Sequence, residues 1–263
     1  MKFIKVLSAI LILSSSCFSQ QWVNFSINNS QLPGNTVYSI AIDYQGNKWI
    51  GTNSGLAKFD DNNWTVYTTS NSGLPSSDVR SVAIDEQGNK WVGTWSGGLV
   101  KFDGQNWTVY NTNNSGLPNP NVNSIAIDQQ GNKWIGTEGG GLGKFDGQNW
   151  TVYNQNNSGQ SSSIILSLAV DGQGNIWIGT WFYGGLIKFD GQNWSTYTVY
   201  NSKLPGLSVH SIAVDQQGNK WIGCDGGLAK FDGENWSVYT LGNSEVPGYS
   251  ITSITLDLQG NKW

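Results

Sequence analysis

The stretch Ser124–Tyr153, SIAIDQQGNKWIGTEGGGLGKFDGQNWTVY, decides the fold, because nearly the same string returns along the whole chain. The tryptophan of its first half recurs every 42 to 44 residues, and the tryptophan of its second half keeps the same step. The first series is Trp49, Trp91, Trp134, Trp177, Trp221 and Trp263, and the second is Trp22, Trp64, Trp107, Trp150, Trp194 and Trp236. A period of about 20 to 50 residues is typical of a solenoid, a propeller or an array.

Each repeat reads as four short antiparallel strands. In the first complete copy the apolar or β-branched runs are Val37–Asp43, Trp49–Thr52, Leu56–Phe59 and Trp64–Thr68. Turn residues separate them, and the Asp-Gly pairs of the later copies favour tight hairpins because glycine accepts a positive φ at little cost. The repeat therefore predicts one four-stranded sheet per copy.

The first two strands carry large apolar side chains on both alternations, so each sheet has to be covered on both faces. Blades stacked radially satisfy this requirement, whereas a β-helix needs shorter repeats and separate sandwiches need about 100 residues each. We therefore predict an all-β chain, a β-propeller of four-stranded antiparallel blades. The five complete blades are expected at about residues 36–68, 79–111, 122–154, 164–200 and 209–240.

The two ends of the repeat region, residues 20–263, predict one further, split blade. Residues 20–26 match only a fourth strand, and residues 249–263 match a first strand and the start of a second. Strands from both ends would close the propeller and remove its last edge, which gives six blades. Because the other copies continue into Ile-Gly-Thr after their Lys-Trp, we expect the natural protein to run beyond Trp263, with six or seven blades in the intact chain.

Residues 1–19 have the order of a secretory signal peptide: two lysines, a short apolar run and then small residues. Ser19 suits ordinary cleavage, which we favour, whereas Cys17 after three serines resembles a lipoprotein acceptor. The apolar run is too short to span a bilayer, and no later segment is apolar enough to do so. The sequence thus predicts export to the periplasm, the cell surface or the extracellular space, without a transmembrane segment.

Charge and composition exclude several functions. The chain has a formal net charge of -4 and only one arginine. Because nucleic acid binding depends on basic side chains that contact phosphates, we expect no nucleic acid partner. Its one histidine, His210, has no serine or cysteine motif that would complete a triad, and no His/Cys cluster predicts a metal site. We expect no cofactor and no catalysis. A lyase or hydrolase that uses two of the irregular acids is the less favoured alternative; these acids are Asp78, Glu138, Asp225 and Glu245.

The repeated D-x-x-G-N motif could suggest a calcium loop, but it lacks the alternating acids and the closing glutamate of such a loop. Its position between two strands favours a turn that the aspartate side chain caps. Cys224 stands where the other copies have threonine, which favours a small buried residue over a reactive thiol.

The repeat follows the order D-x-x-G-N, K-W-I/V-G-T, G-G-L and K-F-D-G; in the second copy, which has all four, these are Asp85–Asn89, Lys90–Thr94, Gly97–Leu99 and Lys101–Gly104. This pattern resembles the two-component regulator propeller repeat over residues 20–263. The resemblance implies seven-bladed propellers of the periplasmic, carbohydrate-responsive part of hybrid sensor kinases, or of secreted and surface proteins. Kelch repeats share some of these letters but have a longer period.

Function is most plausible where the copies differ, because loops that vary on a rigid frame usually carry binding. The loops between second and third strands and the starts of the first strands share one face of a propeller. Aromatic and polar side chains there suit stacking on a sugar ring or a peptide side chain. The candidate ligand-binding residues are Tyr38, Arg80, Trp95, Asn123, Glu138, Trp181, Phe182, Tyr183, His210 and Asp225.

The sequence therefore predicts an exported, non-catalytic binding or sensing module for a carbohydrate or a peptide, within a longer sensor or surface protein. The alternative is a structural or assembly module of the bacterial cell envelope with an envelope protein as its partner. For the aromatic residues 181–183, the alternative to ligand binding is that they pack against neighbouring loops.

Overall fold

The computed structural model describes residues 9–11, 23–246, 248–257 and 259–263, and these residues form strands and turns without a helix. They divide into two compact units. The first contains residues 9–11 and 23–109, and the second contains the described residues from 110 to 263. Apart from residues 9–11, the predicted signal peptide lies outside the described residues.

The first unit holds two complete sheets. A short strand pair precedes them, in which β1 runs antiparallel to β2. Blade 1 has the strand order β3-β4-β5-β6 and blade 2 the order β7-β8-β9-β10. The strands are β1 (Ala9–Leu11), β2 (Val23–Phe25), β3 (Val37–Ile42), β4 (Lys48–Thr52), β5 (Gly55–Phe59), β6 (Trp64–Tyr67), β7 (Val79–Ile84), β8 (Lys90–Thr94), β9 (Gly98–Phe102) and β10 (Trp107–Tyr110).

The second unit holds three complete sheets, blades 3, 4 and 5, each again in sequential antiparallel order. Blade 3 consists of β11 (Val122–Ile127), β12 (Lys133–Thr137), β13 (Leu142–Phe145) and β14 (Trp150–Tyr153). Blade 4 consists of β15 (Ile165–Val170), β16 (Ile176–Thr180), β17 (Leu186–Phe189) and β18 (Trp194–Tyr197). Blade 5 consists of β19 (Val209–Val214), β20 (Lys220–Cys224), β21 (Gly227–Phe231) and β22 (Trp236–Tyr239).

Five four-stranded antiparallel sheets confirm the prediction of a β-propeller fold. The split blade stays a prediction. Near the N-terminus β2 pairs with β1, while in the second unit Thr255 and Trp263 exchange two backbone hydrogen bonds of 2.9 and 3.0 Å.

The D-x-x-G-N motif forms a capped turn, as predicted. In blade 4 the Asp171 Oδ1 accepts hydrogen bonds from the backbone N–H groups of Gln173 and Asn175, both at 3.0 Å. Oδ2 accepts the indole N–H of Trp177 at 2.8 Å, and Gly174 adopts a φ of 82°. Burial alone would raise the pKa of Asp171, but these hydrogen bonds outweigh it and leave the pKa lowered. The aspartate of the turn thus anchors the buried tryptophan of the second strand.

Neighbouring blades within each unit pack through the glycine of the second strand. A Cβ added at Gly179 in blade 4 would lie 2.7 Å from Val209 Cγ1 of blade 5, so only glycine allows this approach. The same two blades share a hydrogen bond of 3.1 Å from the backbone N–H of Ile212 to Ser167 Oγ. In the first unit, Gly51 meets Val79 in the same way. These contacts explain why the repeat keeps glycine and serine at those positions.

A lysine of the following blade covers the buried tryptophan. Lys220 Nζ lies 4.8 Å from the ring centre of Trp177 and 3.8 Å from Asp171 Oδ2. Blade 4 has Ile176 at the lysine position, and there the isoleucine packs in one core cluster with Trp134. This position of the repeat therefore accepts either a charged or an apolar side chain.

One buried polar side chain departs from the pattern of the repeat. Gln160 stands before blade 4 where the corresponding segments have leucine or valine, and only 5% of it is exposed. Within the described residues, neither its amide nitrogen nor its amide oxygen has a hydrogen-bond partner. Its counterpart Leu204 is also 5% exposed and packs in a cluster with Trp177 and Val209.

Candidate functional site

Each blade presents a pair of variable residues at the same place. The first is the second residue of the first strand, and the second is the residue that follows the second strand, 15 positions later. We call these the loop-face pairs: Tyr38 and Asn53, Arg80 and Trp95, Asn123 and Glu138, Leu166 and Trp181, His210 and Asp225.

The backbone explains why these side chains lie together. In every blade the register between the first two strands shifts at the first member of the pair, which is the extra residue of a β-bulge. Bulges re-aim a side chain and are frequent beside functional sites. The N–H of the second member then bonds to the carbonyl before the first strand, as from Trp181 to Ile164 at 3.1 Å. The pairs are thus a product of the scaffold, whereas their chemistry changes from blade to blade.

In the first unit, Arg80 brings three predicted residues together. Its guanidinium carbon lies 4.3 Å from the ring centre of Tyr38 and 4.9 Å from that of Trp95. Its Nε and Nη2 donate to the two carboxylate oxygens of Asp78 at 2.6 and 2.9 Å. A cation held between two aromatic rings and a carboxylate is a favourable arrangement.

In blade 3, Asn123 and Glu138 contact each other. Asn123 Nδ2 donates to Glu138 Oε2 at 2.6 Å and to the backbone carbonyl of Ile165 at 3.0 Å. Beside them lies an open cleft of about 390 Å³, lined mainly by polar groups of Gly139, Asn154 and Ser163 among others.

Blades 4 and 5 bring together Trp181, His210 and Asp225. The rings of Trp181 and His210 meet edge to face with their centres 6.2 Å apart. His210 Nε2 lies 2.7 Å from Asp225 Oδ1, and the same oxygen accepts the hydroxyl of Ser250 at 3.3 Å. We call Trp181, His210, Asp225 and Ser250 the blade 4–5 subsite.

Burial alone would raise the pKa of Asp225, but its hydrogen bond with His210 and further hydroxyl contacts lower it below its ordinary value. Asp225 is therefore ionised at neutral pH. Its side chain is 52% exposed while that of His210 is 17% exposed, so the carboxylate faces solvent and the imidazole supports it.

Two further predicted residues extend this surface. Phe182 and Tyr183 meet edge to face, with their ring centres 4.5 Å apart. Both have a positive φ, 36° and 63°, a region that aromatic residues rarely adopt. The N–H of Phe182 bonds to Ser208 Oγ at 3.2 Å, which anchors the loop to blade 5.

The subsite lacks the geometry of a nucleophile. The Ser250 hydroxyl bonds to the carboxylate of Asp225, whereas a triad requires a bond between the hydroxyl and the imidazole. Over the described ranges, no three His, Cys, Asp or Glu side chains are grouped so that they could hold a metal ion.

Three side chains of these clusters were not among the ligand-binding residues predicted from the sequence. Asp78 could have been found, because it is an irregular acid two residues before Arg80. Ser208 and Ser250 carry no such signal, since serine is common in the segments between blades. Their roles depend on contacts with another blade and on the segment after blade 5.

Comparisons with known proteins agree with this class of fold. A search of curated proteins finds no sequence that matches this chain. Residues 31–54, 116–139 and 158–182 match the family model described as two component regulator propeller. Three segments of this β-propeller thus match the repeat of that family. None of the described segments forms an apolar helix long enough to cross a membrane.

Three solved structures are similar to the chain. The extracellular domain of a hybrid two component system from B. thetaiotaomicron is 25% identical, with a TM-score of 0.59 over 86% of this chain and 37% of that one. The extracellular domain of a one component system from the same organism is 18% identical, with a TM-score of 0.70 over 86% and 39%. PorZ, a surface component of the type-IX secretion system of Porphyromonas gingivalis, is 20% identical, with a TM-score of 0.66 over 90% and 39%. This chain spans well under half the length of each.

Proposed function

We propose that this chain is an exported, non-catalytic β-propeller module that binds a carbohydrate or a peptide through its loop-face pairs. The observation that carries the proposal is the loop of blade 4. Trp181, Phe182 and Tyr183 are 47, 55 and 56% exposed, although large aromatic side chains are normally buried.

The backbone of this loop adds to the argument. A non-glycine residue in the left-handed region costs about 1 kcal/mol or more, and two successive aromatic residues adopt it here. Blade 3 uses Gly139 and Gly141 at positive φ in the corresponding loop. Exposed aromatic residues in a strained backbone do not stabilise the fold, so they favour a binding role for this loop.

Export and membership of a longer protein are parts of the same proposal. The residues before the first blade have the pattern of a signal peptide. The similar structures are extracellular or surface domains, and the chain covers 37 to 39% of each of them. We therefore propose a sensing or surface-attachment module whose output depends on other parts of the protein.

The test is a binding screen of the purified chain against a glycan array and a peptide library, followed by calorimetry on the hits. Trp181→Ala should weaken a genuine hit at least tenfold. Tyr44→Ala is the matched control, because Tyr44 is 74% exposed but lies in the turn at the opposite end of the strands. Equal loss in both variants, or no hit in the screen, would refute a ligand-binding loop face.

A structural module of the cell envelope is the second candidate, because blade 1 exposes an apolar strand. Ile40 and Ile42 are 43 and 65% exposed, while Val82, the counterpart of Ile40 in blade 2, is 7% exposed because blade 1 packs against it. Such a face suits either a further blade of a longer chain or a protein partner. If the chain is an envelope module, the double variant Ile40→Lys and Ile42→Lys should no longer associate with the envelope. If the chain is instead a ligand-binding module, the same variant should keep its affinity for the ligand.

A further inference from the structure

The aromatic loop of blade 4 is held by different groups at its base and at its tip. At the base, the hydroxyl of Ser161 donates to the backbone carbonyl of Gly184 at 2.8 Å. At the tip, the backbone N–H of Phe182 donates to Ser208 Oγ at 3.2 Å. Among the described residues, this is the only hydrogen bond made by the backbone of Phe182 or Tyr183, the two residues that have a positive φ. One side chain of blade 5 therefore holds the strained part of the loop.

Ser208 directly precedes β19, and only 1% of it is exposed. A buried hydroxyl needs hydrogen-bond partners, and it can accept one bond while it donates another. Ser208 Oγ accepts the N–H of Phe182, and its hydroxyl also bonds to the carboxylate of Asp225. The hydroxyl thus connects the backbone of the loop of blade 4 to a member of the loop-face pair of blade 5.

With this bond, the contacts at the blade 4–5 subsite form a closed circuit. Asp225 Oδ1 lies 2.7 Å from His210 Nε2, and the ring of His210 meets that of Trp181 with 6.2 Å between the ring centres. Trp181 precedes Phe182 in the chain, and the N–H of Phe182 returns to Ser208. The circuit therefore fixes both the ring of Trp181 and the backbone of Phe182 against blade 5.

Blade 3 holds the corresponding loop without a side chain. Gly139 and Gly141 have a positive φ there, and their N–H groups bond to the backbone carbonyl of Ser163 at 3.1 and 3.0 Å. Glycine adopts this region at little steric cost, whereas a residue with a Cβ does not. The residue that precedes the next blade at this point is Ile164, which has no hydroxyl. The side-chain anchor Ser208 is thus present where the loop carries aromatic residues in a strained backbone.

We propose that Ser208 is a positioning residue of the ligand-binding site, which holds the loop of blade 4 in the conformation that presents its aromatic rings to a ligand. The inference rests on the proposed binding function and goes beyond it, because it makes blade 5 a part of the site that blade 4 carries. Rings that are already fixed before the ligand arrives lose less conformational entropy on binding. Without the hydroxyl, Phe182 and Tyr183 are free to leave the left-handed region, and the arrangement of the rings is lost.

Amide hydrogen exchange and calorimetry on variants of the full chain test the proposal. Ser208→Ala removes the acceptor of the Phe182 N–H, so this amide should exchange about tenfold faster or more. Its affinity for a ligand found in the binding screen should fall about fivefold or more. Ser167→Ala is the matched control, because it removes a bond of the same kind between the same two blades, from the N–H of Ile212 to Ser167 Oγ at 3.1 Å. The control should change neither the exchange of Phe182 nor the affinity for the ligand.

The contradicting outcomes are distinct. Unchanged exchange of Phe182 in Ser208→Ala would overturn the inference whether or not a ligand is known. Faster exchange with unchanged ligand affinity would also overturn it, but the broader binding function would stand. An equal loss of affinity in Ser167→Ala would assign the effect to a general loosening of the two blades and overturn the inference as well. The absence of any ligand in the screen would instead refute the proposed function, whatever the exchange of Phe182.

Discussion

Replacement of Gln160 by leucine should stabilise the protein. Gln160 is 5% exposed, and no described residue provides a hydrogen-bond partner for its amide. Burial of an unpaired amide costs about 1–3 kcal/mol in proteins. The corresponding Leu204 has the same exposure and lies in an apolar cluster, so the site before blade 4 should accept leucine. We expect Gln160→Leu to raise the free energy of unfolding by about 1–3 kcal/mol.

Thermal and urea unfolding, followed by tryptophan fluorescence, measure this change. For a chain of this size each kcal/mol shifts Tm by about 2–4 °C. The reverse substitution, Leu204→Gln, is the matched control and should destabilise by about 2 kcal/mol or more, because it removes apolar burial and adds an unpaired amide. A Gln160→Leu variant that is neutral or less stable, with Leu204→Gln destabilised as expected, would show that the amide of Gln160 is satisfied in solution and refute the reasoning.

Three further predictions concern the scaffold. Asp171→Ala should lower the free energy of unfolding in urea by about 2–4 kcal/mol, because it removes the acceptor of the Trp177 indole and of the turn amides. Lys220→Ile should lower it by under about 1 kcal/mol, because Ile176 already fills that position in blade 4. Equal losses in the two variants would contradict this account. The capping aspartates Asp43, Asp171 and Asp215 have lowered pKa values in the folded chain, so their stabilisation should be complete above about pH 5 and fall as the pH drops below that value, which acid titration by circular dichroism measures; stability unchanged down to pH 2 would contradict it. Burial and the charge of Asp225 raise the pKa of Cys224 to about 12, so its thiol should not react with a disulfide reagent at pH 8 until the chain unfolds, and rapid reaction of the native protein would refute its burial.

Most of the fold follows from local patterns in the sequence. The turns depend on residues within five positions of each other, as from Asp171 to Asn175, and the strand alternation depends on immediate neighbours. Because the unit is repeated, a correct prediction of one blade applies to all five blades. Contacts of this kind can be predicted because the chain has little freedom between the two partners.

The candidate site follows less completely. The variation between copies indicated the positions of the loop-face pairs, but it did not indicate which partners meet. Ser250 reaches Asp225 across 25 residues, and the contact of Trp181 with His210 joins two blades. The β-bulge that aims His210 also leaves no signature in the letters of the repeat. Such contacts depend on how blades pack, which the spacing of one repeat does not specify.

Amide chemical-shift mapping of the isotope-labelled full chain, titrated with a ligand found in the binding screen, tests the central claim most directly. If the loop-face pairs bind ligand, the largest changes should fall at Trp181, His210 and Asp225. Residues 215–219, the capped turn at the opposite end of blade 5, should not respond. Changes centred on that turn, with none at the loop-face pairs, would contradict the account.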